Sequence, residues 1–315
     1  MAVNIVRYEQ EGVCDWGVLQ GSDIHPLKER YLSTGELICN FSLNAWRQQV
    51  GDAISFDEIT LLSPVTHNQQ FICQGVNYRQ HKMESGMDPD QNRFNMFFRK
   101  ASSCMCAADA DVLIPDFVSL LDYEIELGLV IGETIDSPRT ISQQDLPRYI
   151  AGLVIVNDYS ARDIQIPQMQ FYKGKSYRTF GPVGPFLALL EQDDYRYLND
   201  LHLKLTVNGE ERQSGVTANM IYPPAATLTE LSGLQDLAPG DLVSTGTPEG
   251  CALSIPAPMI QRLAALLPEA LKWQMFLKRQ HASSNYLKQG DLVEASISSS
   301  DGVLDLGVQR NRIVC

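Results

Sequence analysis

The sequence predicts an α+β fold in which strands dominate. Two observations point there. From residue 71 onward, short apolar runs recur between turns rich in Gly and Pro, the pattern of buried and half-buried strands. Helical periodicity beyond that point is confined to residues 142–150, 225–232 and 258–280. These are too few and too unevenly placed for a doubly wound strand–helix alternation, so the sheets should be mixed.

Taken in order, residues 1–65 read as a small N-terminal α+β module. Residues 4–12 (NIVRYEQEG) and 14–24 (CDWGVLQGSDI) suggest a hairpin, 41–50 a helical stretch, and 56–65 a strand that Pro64 ends. Residues 66–315 read as one catalytic domain. Its expected strands cover 71–78, 111–116, 122–132, 151–160, 184–190, 202–210, 241–246 and 291–298. In 237–243 and again in 287–293, a Gly-Asp pair turns the chain into a strand, one turn rule used twice.

Composition narrows the function classes. The 315 residues carry a formal net charge of -13, with 44% hydrophobic and 20% charged residues. That balance supports a sizeable core. It argues against a nucleic-acid or anionic-membrane surface, which needs clustered Lys and Arg. The seven cysteines are scattered and odd in number, which fits a reducing cytoplasm better than a disulfide framework. The first residues lack a basic stretch followed by an apolar one, so no secretory leader is expected. No apolar run is long enough to span a bilayer. P-loop, GxGxxG, GxSxG and HExxH motifs are absent from the sequence, which removes the commonest nucleotide, serine-hydrolase and zincin readings.

Four constellations remain. On an unbroken strand, Asp122, Glu124 and Glu126 would share one face, because side chains alternate. Taken alone, this reads as a solvated acidic face. It becomes a cation site if a third buried carboxylate joins, and Asp158, closing the apolar run before it, is the candidate. A buried charge must be paired or bound to metal, and carboxylates without Cys or His suit a hard cation. His81 and Glu84 lie three apart. On a helical turn they would share a side, as a general base and the acid that orients it, or simply as an exposed helix start. Lys173 and Lys175 precede a Gly/Pro-rich run, a rigid loop suited to an oxyanion or a plain basic loop. Residues 244–250 form a hydroxyl-rich turn that could hold a carboxylate.

The ordered set is more specific than its parts. Gly-Val-Asn-Tyr-x-x-His, Asp-Tyr-Glu-Ile-Glu-Leu, Asn-Asp-Tyr-Ser-Ala-Arg-Asp, Gly-Lys-Ser, Pro-Gly-Asp…Thr-Gly-Thr-Pro and a terminal Arg-Asn-Arg follow one another from residue 71 to the C-terminus. This resembles the fumarylacetoacetate hydrolase superfamily. The resemblance implies a mixed β-roll catalytic fold, a homodimer, and one Mg²⁺ or Mn²⁺ per subunit held by Glu124, Glu126 and Asp158. It implies His81, Glu84 and Lys175 as catalytic residues, with Tyr78, Arg162, Gln165 and Thr247 around a small anionic keto-acid substrate. The expected reaction is hydrolysis of a carbon–carbon bond in a β-diketo acid such as an acylpyruvate, by water activated by His81 and Glu84. A 2-oxo acid decarboxylase or an isomerase is the alternative within the superfamily. A non-catalytic cation- or carboxylate-binding protein is the alternative of another class. The chain departs from many relatives in a long insertion, 252–289. Its stripe of Ile260, Leu263, Ala264 and Leu267 recurs at helical spacing and should be buried against its own domain or a second subunit. Glu249, in Thr-Pro-Glu-Gly beside the expected anion pocket, is the other departure.

Overall fold

The computed structural model describes residues 2–84, 86–88, 94–255 and 267–315. Two sheets carry the fold. The larger runs, edge to edge, through Ile54–Ser55, Asp23–Pro26, Val13–Gln20, Val3–Gln10, Leu187–Leu189, Ile150–Asn157, Ile125–Ile131, Leu242–Ser244, Phe71–Gly75 and Met96–Lys100, with Thr60–Leu62 also paired to Val3–Gln10. The smaller runs through Glu210–Val216, Leu201–Val207, Leu292–Ser299, Asp305–Val314 and Val112–Leu113. Most pairings are antiparallel, but Leu242–Ser244 pairs parallel with Phe71–Gly75, and the end of Asp305–Val314 parallel with Val112–Leu113. The sheets are therefore mixed, as expected.

Alternation decides where the core sits. Leu127, Leu129, Leu153 and Ile155 face one side of the larger sheet and pack with Leu203 and Ile297 of the smaller one. Val130, Val154 and Val156 face the other side, with Ile5, Trp16 and Leu187. Burial of each such side chain contributes about 1.5–3 kcal/mol. The N-terminal strands extend the catalytic sheet, since Val3–Gln10 pairs antiparallel with Leu187–Leu189. Residues 1–65 thus share sheet and core with the rest.

The expected hairpin and the helices near 142–150 and 225–232 all form, and the helical stretch expected at 41–50 forms as a kinked 3-10 helix over Leu43–Gln48. Both Gly-Asp turns close alike. The Ala238 N–H donates to Asp241 Oδ2 and the Lys288 N–H to Asp291 Oδ2, each at 2.8 Å. In the insertion, a helix spans Glu269–His281, with Pro268 at its N-cap. The expected stripe at Ile260, Leu263 and Ala264 lies outside the described residues, and Leu267 is only partly covered.

One expectation needs correction. The acidic run at 122–126 is not one strand. Leu121–Asp122 pairs with Ser160–Ala161, and the chain then re-enters the large sheet at Ile125–Ile131. At the break, side chains replace the ladder. Glu124 N–H donates to Asn157 Oδ1 at 2.9 Å, and Ile125 N–H to Gln213 Oε1 at 3.0 Å.

Candidate metal and active site

The site forms where two neighbouring strands meet at one end. Glu124 and Glu126 flank the first residue of Ile125–Ile131, and Asp158 follows Ile150–Asn157. Because Ile125 is in register with Asn157, the three acids arrive at the same level. Glu124, Glu126 and Asp158 each bring a carboxylate oxygen within 4.8 Å of the others, and all three are buried. Burial excludes the solvated acidic face.

Fixed cations compensate part of this charge. Lys175 donates to both Glu124 and Asp158, the latter at 2.6 Å. Lys100 Nζ donates to Asp158 Oδ1 at 2.5 Å and to the Phe180 carbonyl at 2.7 Å. Arg162 donates to Glu124 Oε1 at 2.5 Å, to Asp122 Oδ2 at 2.8 Å and to Gln165 Oε1 at 2.7 Å. Asp122 therefore stands apart from the three converging acids, as the partner of Arg162. Four carboxylates face three cations, so the cluster is one positive charge short.

The shortfall settles on Glu126. Ser244 Oγ and the Gly246 N–H, the latter at 3.0 Å, donate to its Oε2. Burial, and then the charges of Asp158 and Glu124, push its carboxyl up to about 8. Burial also acts against the charge on Glu124, but Arg162 and Lys175 outweigh it and hold that carboxyl well below the usual range. Burial opposes the Lys175 ammonium as well, yet Asp158 and Glu124 outweigh it and raise its pKa. Lys175 is thus a fixed cation. Three buried oxygen donors that lack one positive charge fit a hard divalent ion. Gly246 is required in the loop that cradles Glu126. Its φ is +87, and a Cβ there would meet Asn77 Cβ at 2.9 Å and Gln74 O at 3.1 Å.

His81 lies on the helix Arg79–Glu84 and is buried. Its Nδ1 is 3.8 Å from Cys251 Sγ. Burial lowers its pKa to about 4. Glu84 does not pair with it. Its Oε2 accepts the Gly250 N–H at 3.0 Å instead. His81 and Glu84 do share one short helix, but it aims their side chains at different partners.

A cavity of about 180 Å³ joins these groups. Its inner end holds Glu124, Glu126, Asp158, Lys175, Arg162, Gln165, Thr247 and His81. Its outer wall is apolar, with Met87, Met96, Phe98, Phe171, Leu253 and Ile255. Thr247 Oγ1 donates to the Ile125 carbonyl and accepts from Gln213 Nε2, both at 2.8 Å. Tyr78 lies elsewhere. It is buried with its hydroxyl unpartnered among the described residues, and borders a separate hollow beside Met83 and Glu249. Sequence reasoning missed Lys100, Cys251, Gln213 and Asn157. The one available signal was a Lys closing the apolar run before it, in Phe97-Phe98-Arg99-Lys100, the pattern used for Asp158.

Comparisons with known proteins agree with this architecture. The family described as Fumarylacetoacetate (FAA) hydrolase C-terminal matches residues 70–314. The oxaloacetate tautomerase of Bacillus subtilis is 34% identical over 228 residues, 70% of this chain and 74% of its own. The structure of the fumarylacetoacetate hydrolase from Exiguobacterium antarcticum is 27% identical, covers 99% of both chains and superposes with a TM-score of 0.75. A 2-hydroxyhepta-2,4-diene-1,7-dioate isomerase from Mycobacterium marinum shares the fold at 22% identity and a TM-score of 0.72, over 99% of this chain and 98% of its own.

Proposed function

The chain belongs to the fumarylacetoacetate hydrolase family, an enzymatic family, and on that premise we propose that it is a divalent-metal-dependent tautomerase or isomerase of a small 2-oxo acid. The observation that carries this reading is the placement of His81. It faces the three acids in one cavity, while Glu84, the group that would orient it to activate water, is engaged by the Gly250 N–H. Moving a proton between carbon and oxygen needs a positioned acid–base group and no water nucleophile.

Glu124, Glu126 and Asp158 are the residues that would hold Mg²⁺ or Mn²⁺. When bound, the ion supplies Lewis-acid charge beside the substrate's carbonyl and carboxylate. The other roles fall to the chain itself. Gln165, whose Oε1 is held by Arg162, turns its Nε2 to the carboxylate head, and Thr247 lines that end of the cavity. Lys175 and Arg162 keep the acids charged and in place. His81 takes the proton from the carbon next to the carbonyl and returns it to the oxygen. The apolar outer wall excludes water and receives the carbon tail. The partner proposed here is a second copy of the chain, consistent with the exposed Phe117, Met169 and Tyr172, in a cytoplasmic setting.

A second reading, hydrolysis of an acylpyruvate, keeps the same ion and substrate head. His81 at the cavity favours it, as does the 27% identical hydrolase. Enol and keto oxaloacetate and a set of acylpyruvates, each assayed with Mg²⁺ and Mn²⁺, separate the two. Metal-dependent loss of the oxaloacetate enol with acylpyruvates intact is the expected result. Faster acylpyruvate cleavage would reverse the order, and activity independent of added metal would remove both.

A further inference from the structure

Beside the cavity lies a second set of ligand atoms, of which the hard-cation site uses only those of Glu124. Cys251 Sγ lies 3.8 Å from His81 Nδ1 and 3.8 Å from Glu124 Oε1. One atom each of His81, Glu124 and Cys251 falls within a common 4.8 Å. Around tetrahedral Zn²⁺, with bonds of about 2.3 Å to sulfur and 2.0–2.1 Å to nitrogen, such atoms stand roughly 3.5 Å apart. The two sulfur spacings need to contract by only a few tenths of an ångström. Three ligands of this kind, with a fourth position open to the cavity, suit a borderline-soft ion, which Cys and His select over Mg²⁺.

A nucleophilic role for Cys251 is disfavoured. Burial, then Glu124 and Asp122, push its thiol well above the usual value, and reactive cysteines sit in electropositive surroundings. Outside the trio, Gln213 Nε2 lies 3.6 Å from its sulfur.

We propose that His81, Cys251 and Glu124 form a binding site for a soft divalent cation of the zinc class, exclusive of the hard-cation site because both require Glu124. The thiol loses its proton to solvent as the ion binds. An ion there also occupies His81, so zinc would inhibit by taking both the shared acid and the acid–base group. The exclusion rests on Glu124 serving the hard cation, whereas the soft site stands without it.

Co²⁺ is the probe, because a thiolate ligand gives it a charge-transfer absorption in the near ultraviolet. Wild type should show the band, and Mg²⁺ should titrate it away. Cys251→Ser and His81→Ala should each lose it. Glu126→Gln, which damages the hard site alone, should keep the band and make it insensitive to Mg²⁺. A band that survives in Cys251→Ser comes from the exposed Cys14, Cys39 or Cys315 and overturns the site. A Cys251-dependent band that Mg²⁺ fails to displace from wild type leaves the site and overturns the exclusion. X-ray absorption of zinc-loaded wild type guards against a misfolded variant. One sulfur in the first shell supports the assignment, and a shell of oxygen and nitrogen alone refutes it.

Discussion

Arg162 and Asp122 meet in a buried ion pair, Nε to Oδ2 at 2.8 Å, with both side chains almost fully excluded from solvent. The same carboxylate accepts the N–H groups of Ala252 and Leu253, at 2.7 and 3.1 Å. It thereby ties the first residues of the insertion to the floor of the cavity. Removing one partner of a buried pair costs about 3–5 kcal/mol. Asp122→Ala should lose that much in urea unfolding, and adding Arg162→Met should recover part of it. A loss under about 1 kcal/mol would mean that the pair is not a structural tie.

Chelation should abolish activity, and Mg²⁺ or Mn²⁺ should restore it. At an ion concentration 100 times its Kd, binding stabilises the folded protein by about 2.7 kcal/mol, which a thermal scan reads directly. Glu126→Gln should erase that shift without lowering the metal-free melting point near neutral pH, because the amide takes the place of the protonated carboxyl that burial favours there. An undiminished shift in Glu126→Gln would place the ion elsewhere.

Gly246→Ala should cost about 1–3 kcal/mol, the usual burden of a non-glycine residue held at a positive φ. It should also weaken ion binding, since the Gly246 N–H donates to Glu126. Calorimetric titration with Mn²⁺ alongside unfolding separates the two effects. A stable variant with unchanged affinity would show that the loop relaxes freely.

His81→Ala should slow turnover by roughly 10²–10⁴-fold, the usual contribution of a positioned acid–base group, with metal binding retained. Glu84→Gln should change little, because an amide oxygen accepts the Gly250 N–H as a carboxylate does. Should Glu84→Gln fall as far as His81→Ala, the two residues pair during turnover, and hydrolysis becomes the better reading.

Much of this was legible because the site uses strand ends. An acid that closes an apolar run, as Asp158 does, must be compensated, and its meeting with Glu124 and Glu126 follows from strand register. Asp122 was misplaced because alternation assumes an unbroken strand, whereas Asn157 and Gln213 take over the ladder just there. The strand Asp305–Val314 hid for a related reason. Its inward positions include Gln309 and Asn311, which are buried and whose side-chain amide groups donate to backbone carbonyls, so no apolar alternation marks it. Cys251 reaches the site through tertiary packing alone, from a stretch whose local pattern carries no chemical signal.

The cavity's inner end and outer wall come from different parts of the chain. The acids sit at the ends of central strands held on both sides, whereas Met96 and Phe98 lie on an edge strand and Met87, Leu253 and Ile255 on connecting segments. Heritable variation in the wall can therefore accumulate without disturbing the acids. A library confined to those five positions should yield descendants with new tails on the substrate and the ancestral chemistry at its head.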